Sequence, residues 1–158
     1  MVSRRVPVDL HAALKTCYFA DKTHINEHIQ PIFGATYRAM KFGPVPLEIY
    51  EMMRGDGLWL WEVKAENTPW RLNGYHLQRV ANDEPDMSCF AQSEMEHLQQ
   101  GFETSIAMNF TSRTAATHGY DWRAANGGTM RYEDMIDDSP RKPEIVRTIK
   151  ETAAHIKL

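Results

Sequence analysis

Apolar residues recur at helical spacing near the start of the chain. Leu10, Ala13, Leu14, Cys17 and Tyr18 fall on one face, and Asp9 is placed to cap the helix they predict. That helix should end before Pro31. From Ala35 to Phe42 the chain reads as a strand or extended segment. Gly43-Pro44-Val45-Pro46 reads as a rigid turn aiming a second helix, with Pro46 in its first turn, Leu47, Ile49, Tyr50 and Met53 on its apolar side, and Gly55 as its stop. The middle then changes period. Trp59, Trp61 and Val63 alternate with Leu60, Glu62 and Lys64, predicting a strand; Trp70 and Leu72 precede Asn73-Gly74, with Tyr75 and Leu77 beyond, the pattern of a tight hairpin. Helical spacing returns at Met95, Leu98, Phe102 and Ile106, behind a capping box from Ser93 to Glu96.

A shorter helical stretch runs from Ser112 to Ala125, broken near Gly119, and Gly127-Gly128 is a turn. After a joint at Arg141-Lys142-Pro143, a last helix carries Ile145, Ile149, Ala153 and Ile156 on one side and Arg147, Lys150 and Lys157 on a solvated one. Together these elements predict a mainly helical α+β single domain with a small antiparallel β-hairpin or sheet. Its core spans about residues 8–138, with a C-terminal helix at about 143–157.

Composition agrees with one folded domain: 158 residues, 42% hydrophobic and 25% charged. No apolar run approaches the roughly 20 residues of a membrane span. The stretch from Met1 to Asp9 has charge but no apolar run behind it, so no secretory leader is expected. A formal net charge of −3 argues against nucleic acid as the main partner. Cys17 and Cys89, the only cysteines, stand outside any Cys-x-x-Cys pattern and fit a reducing cytoplasm.

Extending the first helical stripe brings Asp21, His24 and Ile25 onto the buried face. A buried carboxylate needs a donor, and His24, Lys41, a backbone amide or a distant tyrosine can supply one. Three readings of the Asp21–His24 pair stand. It is a polar pin holding the first helix against the segment from Tyr37 to Gly43, a partner contact at the rim of a groove, or a catalytic or metal pair. A catalytic zinc takes about three protein ligands, so His28 or His118 would have to complete a set. Gly43-Pro44-Val45-Pro46 is no phosphate loop, because two prolines remove the amide donors a cradle needs. His118 and Trp122 share a helical spacing that Gly119 interrupts, placing Trp122 in the core with His118 hydrogen-bonded nearby. The sequence has no Gly-x-Ser-x-Gly elbow and no His-Glu-x-x-His. No cofactor or metal is expected.

Tyr18-Phe19-Ala20-Asp21-Lys22-Thr23-His24, followed by Tyr37, Ala39-Met40-Lys41-Phe42-Gly43-Pro44-Val45-Pro46 and Tyr50, resembles the opening of the SocA-like antitoxin, Panacea-domain family. Thr117-His118 with Trp122 and Ala125 resembles its later motifs, so the likeness runs over about residues 8–138. Two departures stand out: Leu14-Lys15-Thr16-Cys17 replaces a longer aliphatic run, and Trp59, Trp61 and Trp70 make the middle unusually aromatic. The resemblance implies a type II antitoxin that neutralises a cognate protein toxin by binding it. In the SocA-like branch it also implies an adaptor handing the toxin to an AAA+ protease, and members occur on phages and mobile elements. The motif or contact residues it singles out are Tyr18, Asp21, His24, Tyr37, Lys41, Gly43, Pro44, Tyr50, His118 and Trp122. The rival is an enzyme using Asp21, His24 and His118 as a metal or acid–base site. A transcriptional regulator is weaker still, and the oligomeric state stays open.

Overall fold

In the computed structural model, which describes residues 7–82 and 84–155, the first helix is the axis on which the other elements are hung. In chain order the elements are β1 (Val8–Asp9), α1 (Leu10–His28), β2 (Tyr37–Met40), β3 (Gly43–Pro46), α2 (Leu47–Met53), α3 (Gly57–Glu62), β4 (Trp70–Asn73) and β5 (His76–Arg79). There follow α4 (Gln92–Ala107), α5 (Phe110–Thr117), α6 (Tyr120–Ala125), a 3-10 turn (Tyr132–Met135) and α7 (Lys142–His155). The protein is thus a mainly helical α+β fold with two small antiparallel sheets among the described residues: β1-β5-β4 and β2-β3. No described helix is long and apolar enough to cross a membrane.

The Asp9 carboxylate caps α1 by accepting from the Ala12 N–H at 2.7 Å. The helix ends where Ile29 turns left-handed at φ 67°. Three apolar clusters are strung along it. Leu10, Leu14 and Cys17 meet Val45 and Met53, with Leu72 and Leu77 of the hairpin packed outside. Tyr18 meets Tyr37, Met130 and Met135. Ile25 meets Ile136 and Ile145, against which Ile149 packs. Ile156 and Lys157 lie outside the described residues. Burial pushes the Cys17 thiol up to about 12, so it stays protonated and unreactive.

Three elements differ from the expectation. Gly43-Pro44-Val45-Pro46 is strand β3, not a turn; it pairs with β2 in the register Tyr37↔Pro46 to Met40↔Gly43. The prolines are tolerated because of phase. Ala39, opposite Pro44, sends its N–H outward to the Gly128 carbonyl, and the Tyr37 carbonyl accepts from Met130 N–H. Pro44 and Pro46 therefore sit at non-hydrogen-bonded positions, where the missing N–H faces away from β2. The stretch from Trp59 to Glu62 is not a strand but lies in the short helix α3. Asp56 caps it through the Leu58 N–H at 2.9 Å, and a local cap outweighs a brief alternation that has no sheet to join. Trp61 is 79% exposed there.

The third difference is the face of α4. Met95 and Ile106 lie on the solvent side, while His97, Gly101, Phe102 and Ser105 are buried. The helix also starts earlier than the Ser93 box implies. The Glu94 carboxylate accepts from the Ala91 N–H at 2.7 Å. Small residues decide the face, because α4 crosses α1 at backbone contact. Ser105 donates its hydroxyl to the Ala12 carbonyl at 2.8 Å. A Cβ on Gly101 would stand 2.8 Å from the Thr16 carbonyl oxygen and 2.9 Å from the Ala20 nitrogen.

Glycine to alanine inside a helix ordinarily stabilises by roughly 1 kcal/mol. Here the sign reverses, because the new methyl meets helix backbone that cannot swing aside. Gly101→Ala should destabilise by about 1–3 kcal/mol in urea unfolding. A neutral or stabilising result would contradict the close crossing.

Candidate functional site

The motif residues divide by environment. Asp21 is fully buried: Oδ1 accepts from the amides of Ile32 (2.7 Å) and Phe33 (3.0 Å), and Oδ2 from the Tyr37 hydroxyl (3.0 Å). Burial raises its carboxyl above the usual range, and these three donors pull it back. The donors tie the end of α1 to the loop before β2. Tyr18 donates to Asp121 Oδ2 at 2.6 Å, and Lys22 reaches the same oxygen at 3.2 Å, which fastens α1 to α6. Burial and the Asp121 carboxylate hold the Tyr18 phenol protonated.

His24 Nδ1 meets the Gln30 carbonyl at 2.6 Å, and its ring packs beside His28 and His97. His118 is not hydrogen-bonded through its ring. It stacks on Trp122 at 3.7 Å and 9°, while the Trp122 indole donates to the Met40 carbonyl at 2.9 Å. Asp21 is therefore committed to backbone and tyrosine, His118 to Trp122, and the set Asp21, His24 and His118 does not converge.

Gly43 explains its own residue type. Its φ is +96°, and a Cβ there would collide with the Thr117 hydroxyl. Next to it, the Pro44 carbonyl accepts from Lys15 Nζ at 2.5 Å. Lys15 is 0% exposed. Burial, with the Arg113 charge second, lowers its amine from 10.5 to about 7.

Lys15 stands at the inner end of a cleft of about 850 Å³, between the start of α1, the β2–β3 hairpin and the start of α5. Leu10, Leu14, Met40, Val45 and Tyr50 give it apolar walls, and Lys41 stands at its rim. Phe42 and Phe110, each 47% exposed, flank the mouth with ring centroids 5.2 Å apart, and Tyr75 projects from the tip of the β4–β5 hairpin.

The polar floor is held rigidly. Buried Arg113 donates to the carbonyls of Ser105 (2.8 Å) and Met108 (2.7 Å), to Asp9 (3.2 Å) and to His11 Nδ1 (3.1 Å). A guanidinium only donates, so His11 Nδ1 accepts and its Nε2–H points at the Phe42 carbonyl, 3.1 Å away. Burial lowers the His11 pKa, which agrees with this neutral tautomer. The cleft thus offers aromatic and aliphatic surface, fixed in place by a cationic, internally satisfied base. Such a surface can bind apolar side chains and orient them by charge.

Of the residues singled out in the sequence, Lys41 and Tyr50 line this cleft. Tyr18, Asp21, Tyr37, Gly43, Pro44 and Trp122 hold the elements around it. Sequence reasoning missed Lys15, His11, Arg113, Phe42 and Phe110. One signal existed for Lys15: a lysine interrupting the run from Leu14 to Tyr18 on an otherwise enclosed helix.

A family model described as antitoxin SocA-like, Panacea domain, matches residues 14–123. The match takes in Lys15, Asp21, Gly43, Phe110, Arg113 and Asp121. No curated protein and no solved structure matches the chain.

Lys15 makes stability depend on pH in a definite direction. Between its folded value near 7 and the 10.5 of an unfolded lysine, the unfolded chain holds a proton that the folded chain has released. Stability therefore rises with pH across that window, and Lys15→Met has no such proton. From pH 7 to 9 the wild type should gain about 2 kcal/mol on Lys15→Met in urea unfolding. A gap that stays constant with pH would show that the amine remains charged in the cleft.

Proposed function

The chain belongs to the antitoxin SocA-like family that carries the Panacea domain, and from that membership we propose that it is the antitoxin of a type II toxin–antitoxin system. It acts as one domain, in the cytoplasm, and neutralises a cognate protein toxin by binding it in the cleft between α1, β3 and α5. The observation that carries this reading is the cleft mouth. Phe42 and Phe110 are each 47% exposed at that mouth, and a partner's apolar side chains would remove that surface from water. Lys41 at the rim and the cationic floor favour a segment that brings a carboxylate with its apolar anchor.

The role is non-enzymatic in this reading. Arg113, Lys15 and His11 turn their hydrogen bonds inward, onto carbonyls, a carboxylate and each other, which suits a firm docking surface. Hand-over of the bound toxin to an AAA+ protease is compatible with the same docking face, and toxin abundance separates the two modes.

The test co-expresses the chain with the product of the neighbouring small reading frame. The wild type should restore growth and co-purify with that product. Phe42→Asp with Phe110→Asp should weaken the complex by about 100-fold or more and lose protection, with an unfolding midpoint close to wild type. Glu103→Lys, on the solvent face of α4, should change neither. Rescue by the double variant would move the binding surface elsewhere, and a neighbour that is harmless alone would end the antitoxin reading. Toxin that persists in the complex marks occlusion. Toxin that disappears only when the protease is active marks an adaptor.

A further inference from the structure

We propose a second site at the opposite end of α1 from the cleft: Glu27, His28 and His97 bind a divalent first-row cation, for which zinc is the best fit. One donor atom from each of the three lies within 4.8 Å of the other two. Glu27 and His28 come from the last turn of α1, and His97 from the buried face of α4. His97 Nε2 and Glu27 Oε2 are 3.4 Å apart. Ligands about 2.0–2.1 Å from a tetrahedral zinc lie about 3.3 Å from one another, so this pair already has the spacing of two ligands.

The hydrogen-bond inventory points the same way. The Thr23 hydroxyl spends its proton on the carbonyls of Phe19 (3.0 Å) or Ala20 (3.2 Å). Its oxygen is then free to accept from His97 Nδ1, 2.9 Å away. With Nδ1 so engaged, Nε2 faces the Glu27 carboxylate. Two acceptors at 3.4 Å repel unless a positive charge lies between them.

His24 supplies an independent observation. It is 5% exposed, and its ring centroid lies 4.5 Å from that of His28 and 5.1 Å from that of His97. Its Nδ1–H is spent on the Gln30 carbonyl, and its Nε2 is buried with no hydrogen-bond partner. A buried lone pair among imidazoles is costly unless a cation stands near. Both His24 and His97 have one ring nitrogen anchored on a carbonyl or hydroxyl, the arrangement that orients histidines toward a metal. Glu27 and His28 are exposed, so an ion can enter from solvent. Two histidines and a carboxylate suit zinc better than magnesium or calcium, which prefer oxygen ligands. Bound there, the ion would clamp the last turn of α1 to α4, whatever the cleft binds.

Untagged protein, stripped with chelator and dialysed, is titrated calorimetrically with zinc chloride. The expected result is one equivalent bound at submicromolar affinity, a raised unfolding midpoint, and no response to magnesium chloride. His28→Ala and Glu27→Gln, both at exposed positions, should each keep the circular dichroism spectrum and weaken zinc binding by about tenfold to 100-fold. Absent binding, or zinc binding that neither variant changes, would overturn the proposal and leave a proton bridging His97 and Glu27.

Discussion

Helix α1 is enclosed along nearly its whole length, so its charged side chains and its tyrosine hydroxyl must be answered by groups from elsewhere in the chain. That requirement places the rest of the fold. Lys15 draws the Pro44 carbonyl inward and with it strand β3. Tyr18 and Lys22 fix Asp121 and therefore α6. Asp21 fixes the chain at Ile32 and Phe33 and the Tyr37 hydroxyl. His24 closes the helix end on Gln30. On the remaining side Gly101 and Ser105 of α4 let backbone meet backbone. An unpaired member of any of these contacts would cost about 1–3 kcal/mol, which makes the arrangement specific as well as stable.

The cleft follows from the same requirement. Arg113 and Lys15 bring a guanidinium and a buried amine to the start of α1, and both are held by backbone carbonyls, with Asp9 pairing Arg113. Polar groups so fully used leave the mouth to Phe42, Phe110 and Tyr75, which are 47%, 47% and 81% exposed. The motif residues hold α1 in place, and the exposed Phe42 stands one position from the buried Gly43.

Much of the architecture was legible in the sequence. The α1 stripe, the Asn73-Gly74 hairpin, and the split of α5 and α6 at Gly119 follow from periodicity and from residues with special backbone freedom. The rest depends on contacts distant in sequence. That Asp21 needs a donor is written in its spacing, but its donors lie eleven to sixteen residues on, where no local rule reaches. Scanning α4 for large apolar residues chose Met95 and Ile106, whereas the true interface is made by absence of bulk at Gly101. Pro44 and Pro46 argue against a strand unless their phase against β2 is known. Arg113 and Asp9 stand 104 residues apart, so the floor of the cleft had no sequence signature.

The central claim is that the cleft, and not the buried motif, is the face that meets a protein partner. Hydrogen–deuterium exchange, comparing the free chain with its complex with the co-purified partner, tests it most directly. The account predicts slowed exchange at residues 40–46 and 109–113 and at the Asn73–Tyr75 hairpin tip, with α4 residues 92–105 unchanged. Protection confined to α4 or α7, with residues 40–46 and 109–113 exchanging as in the free chain, would contradict it.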